Sequence, residues 1–369
     1  MILILTAAFG DGHNTAARCV AEAARRLNPD EEVIVCDLIC ETHPHISDVL
    51  KRLYQFAITN WPASWKMVYR LLATMKPGAE PPAWQLMMLN SLSEIIETKK
   101  PRVIISTYPL YAELVSRLRQ RAAVPPLMTV ITDSISVHPV WVMAPSDLIC
   151  VADDETKEVV ERLGVAADQI RVTGFPVSLA FLDPIPRTGT TAKGRLLYLP
   201  STSVRWFAQT LEALRPMLRD GLHLTLPVGK HAPRLHHALR RFMDSMPEAD
   251  IEVIGWTDQM PRFLQTHDVL ISKAGGAILH EVLAARCPVV IDYVVPGQEE
   301  GNADLLLSNG CALRSHSPVE TAEAVARLLA DDCRLGREFR EKMIPLSVPD
   351  AAMQAARQAL DLAAKYATH

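Results

Sequence analysis

Short runs rich in β-branched residues and leucine recur along this chain, most of them without polar alternation, and they limit its fold more than any other feature. Residues 2–6, 33–36, 103–106, 127–132 and 148–151 form one series. Strands that keep one face in water alternate apolar with polar residues, whereas runs like these suit strands covered on both faces. Helical patterns such as 15–27 and 155–163 lie between them. That alternation predicts a parallel sheet with helices on each side. A second series follows at 195–199, 222–226, 251–254, 269–272 and 289–292. The expected fold is α/β, with two doubly wound Rossmann-like domains.

A length of 369 residues agrees, since single cores stop growing near about 250–300. Periodicity breaks at 175–193, where Pro176, Pro184, Pro186, Gly189 and the pair Thr190-Thr191 fall. The expected division is a first domain at 1–178, a linker at 179–192 and a second domain at 193–346. A C-terminal helix within 347–369 is expected to pack back toward the first domain. The chain carries 38 Lys+Arg against 42 Asp+Glu, a net charge of −4, which speaks against a nucleic-acid partner. No apolar run reaches the roughly 18–20 residues of a membrane span. Met1 runs straight into Ile-Leu-Ile-Leu, with no basic leader, so a cytoplasmic location is expected. Seven scattered cysteines without a Cys-x-x-Cys pair read as reduced thiols, with neither a disulfide framework nor a metal site.

Residues 51–76 depart from the pattern. They hold Lys51, Arg52, Lys66, Arg70 and Lys76, no acidic residue, and the aromatics Tyr54, Phe56, Trp61, Trp65 and Tyr69. A basic, aromatic, amphipathic stretch suits a membrane interface, and it equally suits a helix packed on the first domain with its charges solvated.

Three places carry chemistry. Gly10-Asp-Gly12-His13 follows the first strand and opens a helix, where glycine permits close approach and free N–H groups favour anions. It matches neither the dinucleotide fingerprint nor a Walker A loop. At the carboxyl end of a strand, His13 either takes a proton from a hydroxyl or caps the turn. Thr132-Asp133-Ser134 ends another strand, and Asp133 projects into the same crevice or serves as a turn carboxylate. His138 and Trp141 follow, the indole being a sugar- or lipid-facing platform or core. The third place is Ser272-Lys273-Ala274-Gly275-Gly276, then Glu281, then Pro296-Gly297-Gln298-Glu299-Glu300 and Asn302. A strand ending in Gly-Gly before a helix offers N–H groups and the positive dipole end to a diphosphate. Glu281 suits ribose hydroxyls and Gln298 with Glu299 suits a sugar, or the stretch is a Gly-Gly turn followed by an exposed acidic loop.

With these residues in view, the chain resembles glycosyltransferases of GT-B architecture, two Rossmann-like domains facing across a cleft. It is most similar to family twenty-eight, which holds monogalactosyldiacylglycerol synthases and processive diacylglycerol glucosyltransferases. The resemblance rests on Gly10-x-Gly12-His13-x-x-Ala16-Ala17, Thr132-Asp133 with His138-Pro139-x-Trp141, and Val172-Thr-Gly-Phe-Pro-Val177. It continues through Ser272-Lys-Ala-Gly-Gly276 with Glu281 and Pro296-Gly-Gln-Glu-Glu300 with Asn302-Ala-Asp304. It implies an inverting, metal-independent hexosyl transfer from UDP-galactose or UDP-glucose to a lipid, with diacylglycerol as acceptor. It implies His13 as base with Asp133 as the alternative, and Gly12, His138 and Trp141 on the acceptor side. Gly275 and Gly276 would meet the diphosphate, Glu281 the ribose, and Gln298, Glu299 and Asn302 the hexose. The stretch from Trp256 to Met260 would cradle uracil. No cofactor is implied beyond the donor itself. Lys51, Arg52, Trp61, Trp65, Lys66 and Arg70 would attach the protein peripherally to the anionic inner face of the membrane. Oligomeric state has no signature.

The chain departs from the family pattern at residues 199–205, Leu-Pro-Ser-Thr-Ser-Val-Arg, where relatives carry a glycine-rich loop. The hydroxyls of Ser201–Ser203 and the charge of Arg205 are the groups there that phosphate would meet. An extra basic run holds Lys230, His231, Arg234, His236, His237, Arg240 and Arg241, and Ile278-Leu279-His280 stands where relatives have hydroxyl side chains. Other acceptors, a UDP-sugar epimerase, and a binding protein without turnover are the competing functions.

Overall fold

The computed structural model describes residues 1–7, 11–42, 44, 49, 83–186, 193–296 and 299–367. Residues 51–76, with every residue expected to meet the membrane, lie outside that set, as do Gly297 and Gln298.

The chain forms two compact units. The first comprises Met1–Leu179, Pro296–Gly301 and Val348–His369; the second comprises Ala180–Val295 and Asn302–Ser347. In the first, six parallel strands stand in the order β2-β1-β3-β4-β5-β6. They are β1 (Ile2–Thr6), β2 (Val33–Asp37), β3 (Val103–Ser106), β4 (Leu127–Val130), β5 (Leu148–Val151) and β6 (Ile170–Val172). Between them run α1 (Asp11–Leu27), α2 (Leu38–Thr42), α3 (Ala83–Lys99), α4 (Tyr111–Arg119) and α5 (Asp154–Arg162). Every residue of β1, β3, β4 and β5 is buried, as expected for strands covered on both faces.

The second unit repeats the plan in the order β12-β11-β10-β7-β8-β9. Its strands are β7 (Arg195–Tyr198), β8 (His223–Pro227), β9 (Ile251–Ile254), β10 (Val269–Lys273), β11 (Val289–Tyr293) and β12 (Ala312–Arg314). Its helices are α6 (Val204–Arg219), α7 (Ala232–Asp244), α8 (Met260–Thr266), α9 (Gly276–Ala285), α10 (Glu300–Ser308, its first two residues grouped with the first unit) and α11 (Pro318–Met343, broken at Ala330–Cys333). Phe207, Leu211 and Leu214 of α6 pack with Leu196, Tyr198, Ile271 and Val290 of the sheet.

Both sheets reverse direction beside their central strand. From β1 the chain moves outward to β2 and returns on the other flank at β3; from β7 it moves out to β8 and β9 and returns at β10. The connections diverge at such a point, opening a crevice at the carboxyl ends of the two strands. The β1/β3 point lies before Thr107, and the β7/β10 point lies between the 199–203 turn and Gly275.

Several boundaries differ from the sequence expectation. The helix expected at 15–27 begins at Asp11, which puts His13 in its first turn. The strand expected at 127–132 ends at Val130, freeing Thr132 and Asp133 from the ladder. Asp153 caps α5 by accepting from Thr156 N at 2.7 Å. All seven cysteines are free thiols, with Cys40 and Cys333 half-buried and the others buried.

The last helix, α12 (Ala351–Ala367), lies against α1 in the first unit. Ala351, Ala352, Ala355, Ala356 and Ala359 are fully buried on it, and Ala16, Ala17, Ala23 and Ala24 are buried on α1. Alanine allows helices to approach closely. Gly174 closes the joint: its φ is +80°, and a Cβ there would lie 2.7 Å from Ala351 Cβ. Gly174→Ala therefore combines backbone strain with a clash, and urea denaturation is expected to show a loss of about 1–3 kcal/mol.

Candidate active site

At the β1/β3 point of the first unit, the side chain of His13 is fixed from two sides. Its Nδ1 lies 2.8 Å from the Thr107 carbonyl oxygen and 2.9 Å from Thr132 Oγ1. A carbonyl can only accept, so Nδ1 carries the hydrogen and Nε2 holds the lone pair. Nε2 has no hydrogen-bond partner among the described residues. Thr107 is held in turn: its amide donates to Leu5 O at 3.0 Å and its hydroxyl to His13 O at 3.1 Å. Tyr108 meets the imidazole edge-on at 5.2 Å between ring centroids, and the Trp141 ring lies 5.9 Å away. Burial pulls the His13 pKa down to about 4, against the opposing pull of the Thr107 carbonyl. The ring is therefore neutral at physiological pH, with its basic nitrogen available.

Asp133 belongs to the same cluster. Its Oδ2 accepts the Trp141 indole N–H at 2.6 Å. Trp141 is 1% exposed, which corrects its assignment as an acceptor platform: the indole is core, and its N–H anchors Asp133. His138 is corrected likewise. It is buried and caps the short turn Pro139–Val142 by accepting from Val140 N at 3.2 Å. Gly12, also in the first turn of α1, has open space where a Cβ would stand. Thr107, Tyr108 and Thr132 were not singled out from the sequence. Thr132 adjoins the Asp133 motif, but nothing in the local sequence shows that Thr107 reaches His13 across 94 positions.

In the second unit, Gly275 is the N-cap of α9 with φ −68° and ψ 137°, and its own amide donates to Lys273 O at 2.9 Å. The helix start at Gly276 presents its N–H groups at the β7/β10 point. A Cβ at Gly275 would sit 3.2 Å from Lys273 Nζ, so an ammonium group stands beside that helix terminus. Glu281 is half-buried, five residues further along α9. Across the point, Ser203 caps α6 by accepting from Trp206 N at 3.2 Å, and Arg234 donates to Thr202 O at 2.7 Å. Trp256 is 78% exposed, and Met260 opens α8.

One donor-side expectation changes. The Asn302 side-chain amide donates to Ala274 O at 3.2 Å and is buried; it ties α10 to the turn before α9, and that nitrogen is not offered to a hexose. Glu299 is buried and groups with the first unit. Among the described residues no set of three or more His, Cys, Asp or Glu side chains is placed to hold a metal ion, and no helix is long and apolar enough to cross a membrane.

Comparison with known proteins agrees with both halves. Residues 13–177 match the monogalactosyldiacylglycerol (MGDG) synthase family and 190–331 match glycosyl transferases group 1. A processive diacylglycerol β-glucosyltransferase of Bacillus cereus (strain G9842) is 28% identical over 362 residues, 95% of this chain and 91% of the relative. Among solved structures, Acinetobacter baumannii MurG superposes with a TM-score of 0.64 at 14% identity, covering 98% of this chain and 99% of that one. The Neisseria meningitidis UDP-GlcNAc 2-epimerase bound to UDP-GlcNAc gives 0.61 at 14%, covering 99% of each. At such identities the likeness is one of fold, the GT-B architecture, which transferases and epimerases share.

The depressed His13 pKa has a consequence for stability. The unfolded chain protonates this histidine near pH 6.5 and the folded chain near 4, so acid favours unfolding between those values. The melting temperature of the wild type is expected to fall faster than that of His13→Phe as pH drops from 6.5 to 4, with parallel behaviour above 7. Parallel curves throughout would contradict the assignment.

Proposed function

We propose that this chain, a UDP-sugar-dependent glycosyltransferase of the MGDG synthase family, moves a hexose to the free hydroxyl of diacylglycerol and yields a β-glycosyl glycolipid. The observation that carries the reading is the neutral, oriented His13 at the β1/β3 point of the first unit. The diacylglycerol acceptor is supported by the named activity of the relatives. In this reading the first unit receives the acceptor and the second holds UDP-glucose or UDP-galactose.

The chemistry follows from the groups available. His13 Nε2 removes the acceptor proton as the oxygen attacks the anomeric carbon opposite the leaving UDP, and one displacement inverts that centre. The Thr107 carbonyl, accepting from Nδ1, favours the cationic ring that forms. Asp133 is the alternative base, although one of its oxygens is engaged by Trp141. Charge on the departing diphosphate is met by the α9 N-terminus and Lys273, and Glu281 binds ribose hydroxyls. The reading needs no metal because these groups supply the electrostatic stabilisation. Residues 51–76 attach the protein to the cytoplasmic leaflet; vesicle flotation is expected to depend on anionic lipid and to be lost at high salt.

Two substitutions separate the roles. His13→Ala is expected to lower kcat by about 10²–10⁴-fold with little change in donor KM. Glu281→Ala is expected to raise donor KM about tenfold. Full turnover in His13→Ala and Asp133→Asn alike would sink the base assignment. The acid limb of kcat/KM is expected well below pH 6.5, and a limb at 6.5 would contradict the neutral, half-buried ring.

A further inference from the structure

Most of the buried polar side-chain atoms that lack a hydrogen-bond partner among the described residues belong to one region of the second unit. They are the Tyr198 hydroxyl at the end of β7, the Ser201 and Thr202 hydroxyls of the next turn, the Trp206 indole N–H in the first turn of α6, and both carboxyl oxygens of Asp292 on β11. Sheet register links the two strands. Tyr198 pairs with Ile271 and Ile271 with Val290. Beyond that the ladder shifts register, Ser272 standing opposite Ile291 and Lys273 opposite Tyr293, so Asp292 is the extra residue at the irregularity beside Lys273. The two groups sense each other: the Tyr198 phenol is pushed up by burial and then by the Asp292 charge, while the nearby Thr202 and Thr210 hydroxyls pull it the other way. A buried polar group left unpaired is costly, so native proteins rarely collect several in one place without a use.

The surroundings of Asp292 are mostly uncharged. Burial pushes its carboxyl up to about 7, while its own backbone amide and then Lys273 pull the other way. Lys273 ends β10, and its ammonium stands beside Gly275 at the α9 N-terminus. Arg234 of α7 acts on Tyr198. Toward β12 the neighbour is Ser315, whose hydroxyl is bonded to Thr321 Oγ1 at 2.8 Å; Arg314 is in register with Ile291. α11 and α6 turn Val325, Leu328 and Phe207 toward the sheet. Beyond the first turn of α9 come His280 and Glu281.

We propose that Asp292 is a proton-linked positioning residue of the donor site: a nucleotide-sugar diphosphate arriving at the N-termini of α6 and α9 draws a proton from solvent onto the Asp292 carboxyl. The neutral acid then donates a hydrogen bond within the Tyr198–Thr202 corner and leaves the Lys273 ammonium to the phosphates. This rests on the reading that the second unit holds a UDP-sugar. The proton balance is simple, since one carboxylate gains one solvent proton and no other bond changes. A second anion in a low-dielectric corner makes the ionised carboxyl costlier, so the bound state favours the protonated form. Near neutrality the free site is about half protonated and the bound site is full, so binding takes up about half a proton at pH 7. Affinity then weakens about tenfold between pH 6 and pH 8.

The test is titration calorimetry of the whole protein with UDP-glucose and with UDP-galactose, without lipid, in buffers of different ionisation enthalpy. A diphosphate diester has no group titrating near neutrality, so net proton uptake belongs to the protein. Uptake of about half a proton at pH 7 and the tenfold pH effect are expected, both lost in Asp292→Asn with binding retained. His280→Gln is expected to keep both. Binding without uptake, uptake retained in Asp292→Asn, or uptake lost in His280→Gln would overturn the proposal alone. If Asp292→Asn does not fold, wild-type uptake and its persistence in His280→Gln decide. Failure of both UDP-sugars to bind at any pH would overturn the donor-site reading and the proposal with it.

Discussion

A parallel sheet must be covered on both faces, and that constraint decides where this protein can do chemistry. With helices over each face, the carboxyl ends of the strands are where chain direction changes and backbone N–H groups become available. Each unit has one place where neighbouring connections diverge, beside β1 in the first and beside β7 in the second. His13, Thr107, Thr132 and Asp133 collect at the former; Ser203, Lys273 and Gly275 collect at the latter.

The two places use burial differently. At His13, burial removes the proton and the Thr107 carbonyl selects which nitrogen keeps its hydrogen, so one side chain becomes a directed base. At Asp292, burial favours keeping the proton, and a carboxyl that would be an ordinary anion in water becomes a group titrating near neutrality. The physics is the same, because a low-dielectric site penalises whichever form is charged.

Most interior strands of the two sheets were legible because runs rich in apolar residues are what double-sided burial demands. The edge strands β6 and β12 were not, being three residues long with partly exposed positions. His13 and the Gly275-Gly276 turn were legible as types of residue at types of position. The partners of His13 were hidden, since Thr107 reaches it only through the fold. Trp141, His138 and Asn302 were misjudged for one reason: proximity to a motif does not reveal whether a polar atom faces a ligand or is consumed by its own scaffold. Asp292 carried a visible signal, an acid inside the apolar run Val289-Val290-Ile291, and its meaning emerged only with the unpartnered groups around Tyr198.

The central claim is that a UDP-sugar is consumed only when a lipid hydroxyl is there to receive the hexose. Release of UDP by the purified protein tests it most directly, with UDP-glucose and UDP-galactose each measured with and without diacylglycerol vesicles. The account predicts release from at least one donor that rises in proportion to diacylglycerol and is negligible without it. Release indifferent to diacylglycerol, or UDP-sugar binding with no release in its presence, would contradict the account.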